Sequence, residues 1–115
     1  MSEEARLKAG IWVRSVIKIC QVNDIACFVL RKGDEDAGAV LIKQNLLGDG
    51  FIVLTAMRSV HGTLGWMRGT GPHPVEEPVA DAYIARQVNR DSDLWVIEIE
   101  DRSGTLPFDH KFIER

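Results

Sequence analysis

Residues 25–43 read IACFVLRKGDEDAGAVLIK, and this stretch decides the fold class. Two apolar runs, 25–30 and 39–43, flank a polar segment that carries a glycine near each end. Runs this short, with β-branched and aromatic members, are typical of buried strands, because a helix needs a longer periodic pattern. Since the connection between them is short, we expect the two strands to be antiparallel neighbours. The stretch therefore predicts the start of a mostly antiparallel sheet.

Amphipathic helices are predicted before and after the strand-rich region. Apolar residues recur at helical spacing from Ala9 to Cys20, with Arg14 and Lys18 on the opposite side. In the second half, Pro78 suits a first helical turn, where its missing N–H costs nothing. Arg90 suits a last turn, because cations are favoured at helix C-termini. We expect both helices to cover one side of the sheet.

The remaining strands are expected where apolar segments lie between turn signals, of which 47–50 (LGDG) is the strongest. The last segment alternates, with Trp95 and Ile97 on one face and Glu98 on the other, so one face is expected to be solvated. The prediction is a helix at 10–21, strands at 25–30, 39–43, 51–57 and 64–68, a helix from 77 and a strand at 94–100. The fold class is α+β: a mostly antiparallel sheet of four to five strands packed against two helices, order α-β-β-β-β-α-β, in a single domain spanning 1–115.

Charge and composition exclude several classes of protein. The net charge of -3 argues against a dedicated nucleic-acid binder, which usually carries a basic excess. No apolar run approaches the roughly 20 residues that span a bilayer, and the N-terminus lacks the basic and apolar regions of a secretory signal. We therefore predict a cytoplasmic protein without membrane association. Cys20 and Cys27 lie in apolar segments and are predicted to be buried free thiols.

Several segments of the chain carry a resemblance to a known family. They are the loop at 33–38 (GDEDAG) between two apolar strands, the early IWV at 11–13, the stretch DAYIARQ at 81–87, and then DLWV at 93–96 and EDR at 100–102. Together they resemble a small bacterial protein family known only as domain of unknown function 1491. The resemblance covers nearly the whole chain. It implies a stand-alone bacterial protein and no particular activity, because the family has no assigned catalytic or binding residues.

The loop between the first two strands is the most distinctive candidate for binding. Asp34 and Asp36 are two residues apart, so in an extended segment their carboxylates point the same way. They could hold Mg²⁺, while Arg31 faces a phosphate group. The alternative is a polar connection whose aspartates accept hydrogen bonds from nearby backbone N–H groups.

A weaker candidate for ligand contact lies in the second half of the chain. Trp66 and Arg68 alternate on the fourth strand, and with Arg86 they could stack on and pair with RNA. The alternative is that Trp66 is a core anchor. The three histidines, His61, His73 and His110, fall in loops without the spacing of a zinc site, so no metal site is predicted. No catalytic residues and no cofactor are predicted either, since the sequence has no nucleophile elbow or phosphate-binding motif.

The function is not determined by these patterns, and two hypotheses remain. The leading one is a non-catalytic module that binds a protein partner or itself as a homodimer. The observation that favours it is the apolar strand 51–57, whose edge could pair with the same strand of a second copy in a dimer. The alternative is a nucleotide- or phosphoryl-binding protein that uses the loop 31–38 with a divalent cation.

Overall fold

The computed structural model describes residues 8–58, 64–110 and 112–113 of the chain. It confirms the predicted fold class and element order, and the boundaries differ from the predicted ones by one or two residues at most. The elements are α1 (Ala9–Val22), β1 (Ala26–Arg31), β2 (Val40–Asn45), β3 (Phe51–Arg58), β4 (Leu64–Arg68), α2 (Glu77–Arg90) and β5 (Trp95–Glu100).

The strands form one mixed sheet in the order β1-β5-β2-β3-β4. The pairs β2–β3 and β3–β4 are antiparallel, as predicted. The predicted pairing of β1 with β2 is wrong, because β5 lies between them, antiparallel to β1 and parallel to β2. Neighbouring strands are about 4.8 Å apart, so the connection at 32–39 is long enough to pass over one strand.

The two helices lie on opposite faces of the sheet, and the prediction of a single covered side is wrong. We call these the α1 face and the α2 face. Buried strand residues alternate between two clusters. The first packs with Val13, Val16 and Cys20 of α1 and includes Val40, Ile42, Ile52, Leu54, Ile97 and Ile99. The second packs with Ala80 of α2 and includes Leu41, Val53 and Val96. Because the inner strands are apolar at consecutive positions, both faces need a cover.

The last strand illustrates the consequence of this three-layer arrangement. The sequence predicts a solvated face for 94–100, which is wrong. Val96 is buried on the α2 face, and the Glu98 side chain is only 13% exposed. A strand in which apolar and polar residues alternate can thus still be covered on its more polar face when a helix lies across that face.

The C-terminal segment completes the α1 face. Phe108 lies edge-on to Trp12, with ring centroids 5.4 Å apart, and Trp12 lies 5.7 Å from Trp66. The N–H of Ile113 donates to the carbonyl of Trp66 at 2.9 Å, next to a parallel bridge between Trp66 and Phe112. The tail therefore contacts the outer edge of β4.

Candidate functional site

β1 is an edge strand with exposed apolar side chains. Phe28 is 49% exposed, Val29 43% and Leu30 49%, and we call these three residues the edge patch. The sequence predicts that 25–30 is buried, and this is wrong because the strand has a neighbour, β5, on one side alone in the described part of the chain. The three adjacent residues form a continuous apolar surface along this edge.

The side chains of the edge patch lie on both faces of the sheet at this edge. Phe28 pairs with Glu98 and Val29 pairs with Ile97, so the two side chains point to opposite faces. The register shifts between Val29 and Arg31, which makes Leu30 the extra residue of a β-bulge. The patch thus presents apolar groups above, below and along the free edge.

The opposite edge of the sheet differs from β1, because residues 112–113 of the same chain contact β4 there. The sequence also suggests that 51–57 offers a pairing edge, and this is wrong. β3 pairs with β2 on one side and with β4 on the other. Within the described residues, β1 is therefore the edge that can accept another strand.

The loop at 33–38 is held by hydrogen bonds around Asp34. Its Oδ2 accepts the backbone N–H groups of Asp36 and Ala37 at 3.0 and 2.8 Å. Its carbonyl accepts the indole N–H of Trp95 at 2.7 Å, and its N–H donates to the carbonyl of Asp93 at 2.9 Å. Asp34 thus accepts hydrogen bonds from nearby backbone N–H groups, as expected if the loop is a polar connection between strands. Its own backbone attaches the loop to the start of β5.

The other candidate residues of this loop also have partners within the chain. The Arg31 guanidinium donates from Nη2 to the carbonyl of Ser92 at 2.7 Å, while its buried Nε has no hydrogen-bond partner among the described residues. The Asp36 carboxylate faces Lys8 at 3.6 Å, and both side chains are exposed. Ligand binding by Arg31, Asp34 and Asp36 stays a prediction.

The same loop also joins α1 to the sheet. The N–H of Gly10 donates to the carbonyl of Glu35 at 2.8 Å, and Arg14 forms an ion pair with the Glu35 carboxylate at 3.2 Å. A side chain on Gly38 would place its Cβ 2.5 Å from the carbonyl of Asp93. The glycines therefore permit a close approach of backbone segments, which gives the GDEDAG pattern a structural purpose.

The second set of candidate residues is spread over the molecule. Trp66 is 6% exposed and packs in the core of the α1 face, so its ring offers no open surface to a base. The Arg68 guanidinium lies 4.0 Å from the ring centroid of Phe112. Arg86 is on α2, 5.9 Å from the ring of Tyr83, and hence on the other side of the sheet. The structure does not bring Trp66 and Arg86 together.

A buried ion-pair cluster around Lys43 is the polar feature that the sequence patterns did not reveal. The Lys43 side chain is 4% exposed, and its Nζ lies 2.6 Å from Glu77, 2.8 Å from Asp81 and 3.8 Å from Glu98. The Nζ also lies 5.0 Å from the ring centroid of Phe51. The sequence pattern that could have predicted this cluster is a lysine in the middle of an apolar strand, together with two acidic residues one helical turn apart on α2.

The charge state of Lys43 limits its chemistry. Burial lowers its pKa, but the hydrogen bonds that it donates to the carboxylates of Asp81 and Glu77 outweigh that effect, and the pKa is raised overall. The amine is therefore protonated at neutral pH, when it cannot act as a nucleophile. The cluster attaches α2 to the centre of the sheet.

The remaining candidate ligands for metals do not converge in the described residues. His73 and His110 are exposed, and His61 lies outside the described residues. Across 8–58, 64–110 and 112–113, no group of three or more His, Cys, Asp or Glu side chains could hold a metal ion. In the same segments, no helix is long and apolar enough to cross a bilayer.

Cys20 and Cys27 are free thiols, as predicted, although Cys27 is only partly buried. The two thiols lie where the end of α1 meets β1, close enough to influence each other's pKa. Burial raises the pKa of both groups, for Cys27 to about 12 with a further contribution from Cys20. Both thiols are protonated at neutral pH and hence poor nucleophiles.

Solved structures of similar proteins have the same fold over nearly the whole chain. A crystal structure of a DUF1491 family protein from Caulobacter crescentus CB15 is 33% identical and has a TM-score of 0.83, covering 94% of this chain and 100% of that one. An NMR structure of a DUF1491 family protein from the same organism is 32% identical with a TM-score of 0.82, covering 96% and 100%. The solution structure of protein Atu0922 from A. tumefaciens is 26% identical with a TM-score of 0.74, covering 93% and 98%.

These comparisons identify the family of this chain but assign it no activity. None of the curated proteins matches this chain. The family model described as "Protein of unknown function (DUF1491)" matches residues 7–109. That match covers most of the sequence, and it agrees with the solved structures and with the resemblance in the sequence. The chain therefore belongs to the DUF1491 family.

Proposed function

We propose that this chain is a non-catalytic interaction module of the bacterial cytoplasm, and that β1 binds a protein partner by strand addition. The observation that carries the proposal is the edge patch, where Phe28, Val29 and Leu30 are each more than two fifths exposed on an edge strand. In strand addition, main-chain hydrogen bonds give affinity, and alternate side chains fit pockets on the two faces.

The composition of β1 supports this use of the edge. Natural sheets protect their edges with lysines, prolines or bulges, because an open edge invites pairing with another chain. Residues 26–30 (ACFVL) contain no charge and no proline, and the bulge at Leu30 affects one end of the strand. Most of β1 is therefore open to pairing.

Two polar clusters of the chain have a structural purpose. Lys43 binds two carboxylates of α2, and Asp34 binds two backbone N–H groups of its own loop. Both clusters join elements of the fold. The edge patch, in contrast, contributes little to the core and remains available to a partner.

Site-specific photo-crosslinking in cells tests the proposal. A benzophenone amino acid replaces Val29 in one variant and Val79 in a matched control, because Val79 is an apolar residue of α2 that is 51% exposed. We expect covalent adducts with a defined protein from position 29 and none from position 79. Mass spectrometry of the adducts identifies the protein, and mixing the purified components must reproduce them. Equal labelling at both positions, or no adduct at position 29, would contradict the proposal.

A further inference from the structure

The C-terminal segment contacts the α1 face through two aromatic side chains that are four positions apart. The ring centroid of Phe108 lies 5.4 Å from that of Trp12 and 6.3 Å from that of Trp66. The guanidinium carbon of Arg68 lies 4.0 Å from the ring centroid of Phe112. Aromatic side chains that fill such positions carry much of the binding energy when one chain binds another.

Main-chain pairing adds to these side-chain contacts. The N–H of Ile113 donates to the carbonyl of Trp66 at 2.9 Å, and Phe112 forms a parallel bridge with the same tryptophan. On its other side β4 pairs with β3, where Trp66 lies opposite Ala56. The segment therefore lies where an added strand lies when a sheet edge binds an extended peptide. Main-chain bonds and side-chain pockets together are the contacts of that binding mode.

The segment is attached to the rest of the fold upstream of these contacts. Gln44 Nε2 donates to the carbonyl of Gly104 at 2.8 Å, and Leu106 is 3% exposed in the core of the α1 face. Neither contact involves Phe108 or Phe112, so the two rings are tethered to their site by a separate anchor. A short tether holds a ligand at an effective concentration in the millimolar range. A segment of weak intrinsic affinity therefore stays bound within its own chain.

We infer that Trp12, Trp66 and Arg68 form a peptide-binding site, the tail site, which the chain fills with its own Phe108 and Phe112. The ligand that competes for the tail site is an extended segment of another protein with aromatic residues four positions apart. The chain's own segment has this spacing, and it reaches both the tryptophans and the arginine. An arginine close to a ring favours an aromatic residue at the second position. The inference goes beyond the proposed function, because β4 and β1 are opposite edges of the sheet.

A peptide added to the full-length protein tests the inference. The probe is a fluorescein-labelled peptide of residues 107–113 (PFDHKFI), and the variant Phe108→Ala/Phe112→Ala supplies a tail site whose own segment binds weakly. We expect a dissociation constant on the order of 100 µM for this variant. Binding to the wild type should be about tenfold weaker, because its own segment competes at millimolar effective concentration. Fluorescence anisotropy measures both affinities, and a folded double variant that does not bind, or that binds no better than the wild type, would overturn the inference.

Matched substitutions test the two kinds of contact. A peptide with alanine in place of both phenylalanines should not bind the double variant. A peptide with Ile113→Pro lacks the donor N–H and should bind about threefold more weakly. Arg68→Ala in the double variant should weaken binding of the unchanged peptide about threefold, whereas Arg86→Ala, beside Tyr83 on the α2 face, should leave it unchanged. Equal effects of the two arginine substitutions would place the peptide outside the tail site and overturn the inference.

A milder variant and the oligomeric state complete the test. Ile113→Pro in the full chain removes one N–H, and it should bind the peptide about threefold more tightly than the wild type even if the double variant does not fold. Circular dichroism melts identify the folded variants, and equal affinities of folded Ile113→Pro and wild type would overturn the inference. Sedimentation equilibrium should show a monomeric wild type. A wild-type dimer that Phe112→Ala dissociates would assign the site to the segment of a second copy and overturn occupancy within one chain.

Discussion

Lys43 Nζ lies 2.8 Å from Asp81 Oδ1, so a buried ammonium of the central strand is bound by a carboxylate of helix α2. Glu77, one turn earlier on the helix, binds the same Nζ at 2.6 Å. The two carboxylates are about half exposed, whereas the lysine is 4% exposed. The lysine therefore bears most of the cost of desolvation, and the position of α2 on the sheet depends on it.

Replacing Lys43 by methionine should lower the free energy of unfolding by about 1–3 kcal/mol. Methionine keeps most of the apolar stem but leaves Glu77, Asp81 and Glu98 close together without their cation. Urea denaturation measures the change. Lys32→Met is the matched control, since Lys32 is 71% exposed and its ion pair with Glu35 is long, at 3.8 Å. Equal effects of the two substitutions would show that the Lys43 cluster does not support the fold.

The contribution of Lys43 should depend on pH in the alkaline range. Burial lowers its pKa, but the hydrogen bonds that Lys43 donates to Asp81 and Glu77 raise the pKa by more, and the net shift is upward. A lysine whose pKa is higher in the folded than in the unfolded chain stabilises the fold fully at pH values below its unfolded pKa of about 10.4. This stabilisation is lost as the pH rises through the folded pKa. The difference in unfolding free energy between wild type and Lys43→Met should stay constant up to about pH 9 and shrink above about pH 10.4. A difference that disappears near pH 8 would contradict the pairing.

Local sequence patterns predicted the elements well because each element is amphipathic or apolar over a whole segment. The bounds of β4 agree with the prediction, and α2 begins at the predicted residue, where Pro78 occupies the first turn. Burial of Trp66 in the core agrees with the alternative interpretation of that residue, which rested on its size and apolar character. In each case the residues within the segment determine the outcome.

Long-range arrangement could not be predicted in the same way. β5 lies between β1 and β2, and nothing in the apolar run 25–30 shows that it forms an edge. The same run would suit a central strand, so its exposure depends on where a distant segment pairs. The ion pair of Lys43 with Asp81 joins residues from β2 and α2, and it appears only once the helix is placed on its face of the sheet.

Gly38→Ala should destabilise the protein by about 2–3 kcal/mol. The added Cβ would lie 2.5 Å from the carbonyl of Asp93 and 2.8 Å from the indole of Trp95. Backbone cannot move away as a flexible side chain can, so the loop would have to separate from β5. Gly48→Ala is the control, since its Cβ meets no atom within 4 Å and only its φ of 105° causes strain. Thermal and chemical denaturation should rank Gly38→Ala as the more harmful change.

The two aspartates of the same loop should differ in their effect on stability. Asp34→Ala removes two hydrogen bonds from backbone N–H groups and should lower the free energy of unfolding by about 1–2 kcal/mol, whereas Asp36→Ala should lower it by about 0.5 kcal/mol or less.

Thermal shift assays with Mg²⁺, alone and with ATP, address the phosphoryl-binding alternative. Because Asp34 is already bound to its own loop, we expect no change in Tm. A rise in Tm with Mg²⁺ that Asp36→Ala abolishes would instead support a cation site here.

The thiols of Cys20 and Cys27 should react slowly in the folded protein. Burial raises the pKa of Cys27 to about 12, and the thiolate is the reactive form. A thiolate of higher pKa is also a stronger nucleophile, so at neutral pH Cys27 of the folded chain should react about a hundredfold more slowly than in the unfolded chain. Ellman's reagent, added with and without urea, measures both rates. Cys20→Ala removes the neighbouring thiol that helps to raise this pKa, so the remaining Cys27 should react faster than in the wild type. Rapid modification of the folded wild type at the rate of a free cysteine would show that the thiol pair is more open than its packing between α1 and β1 implies.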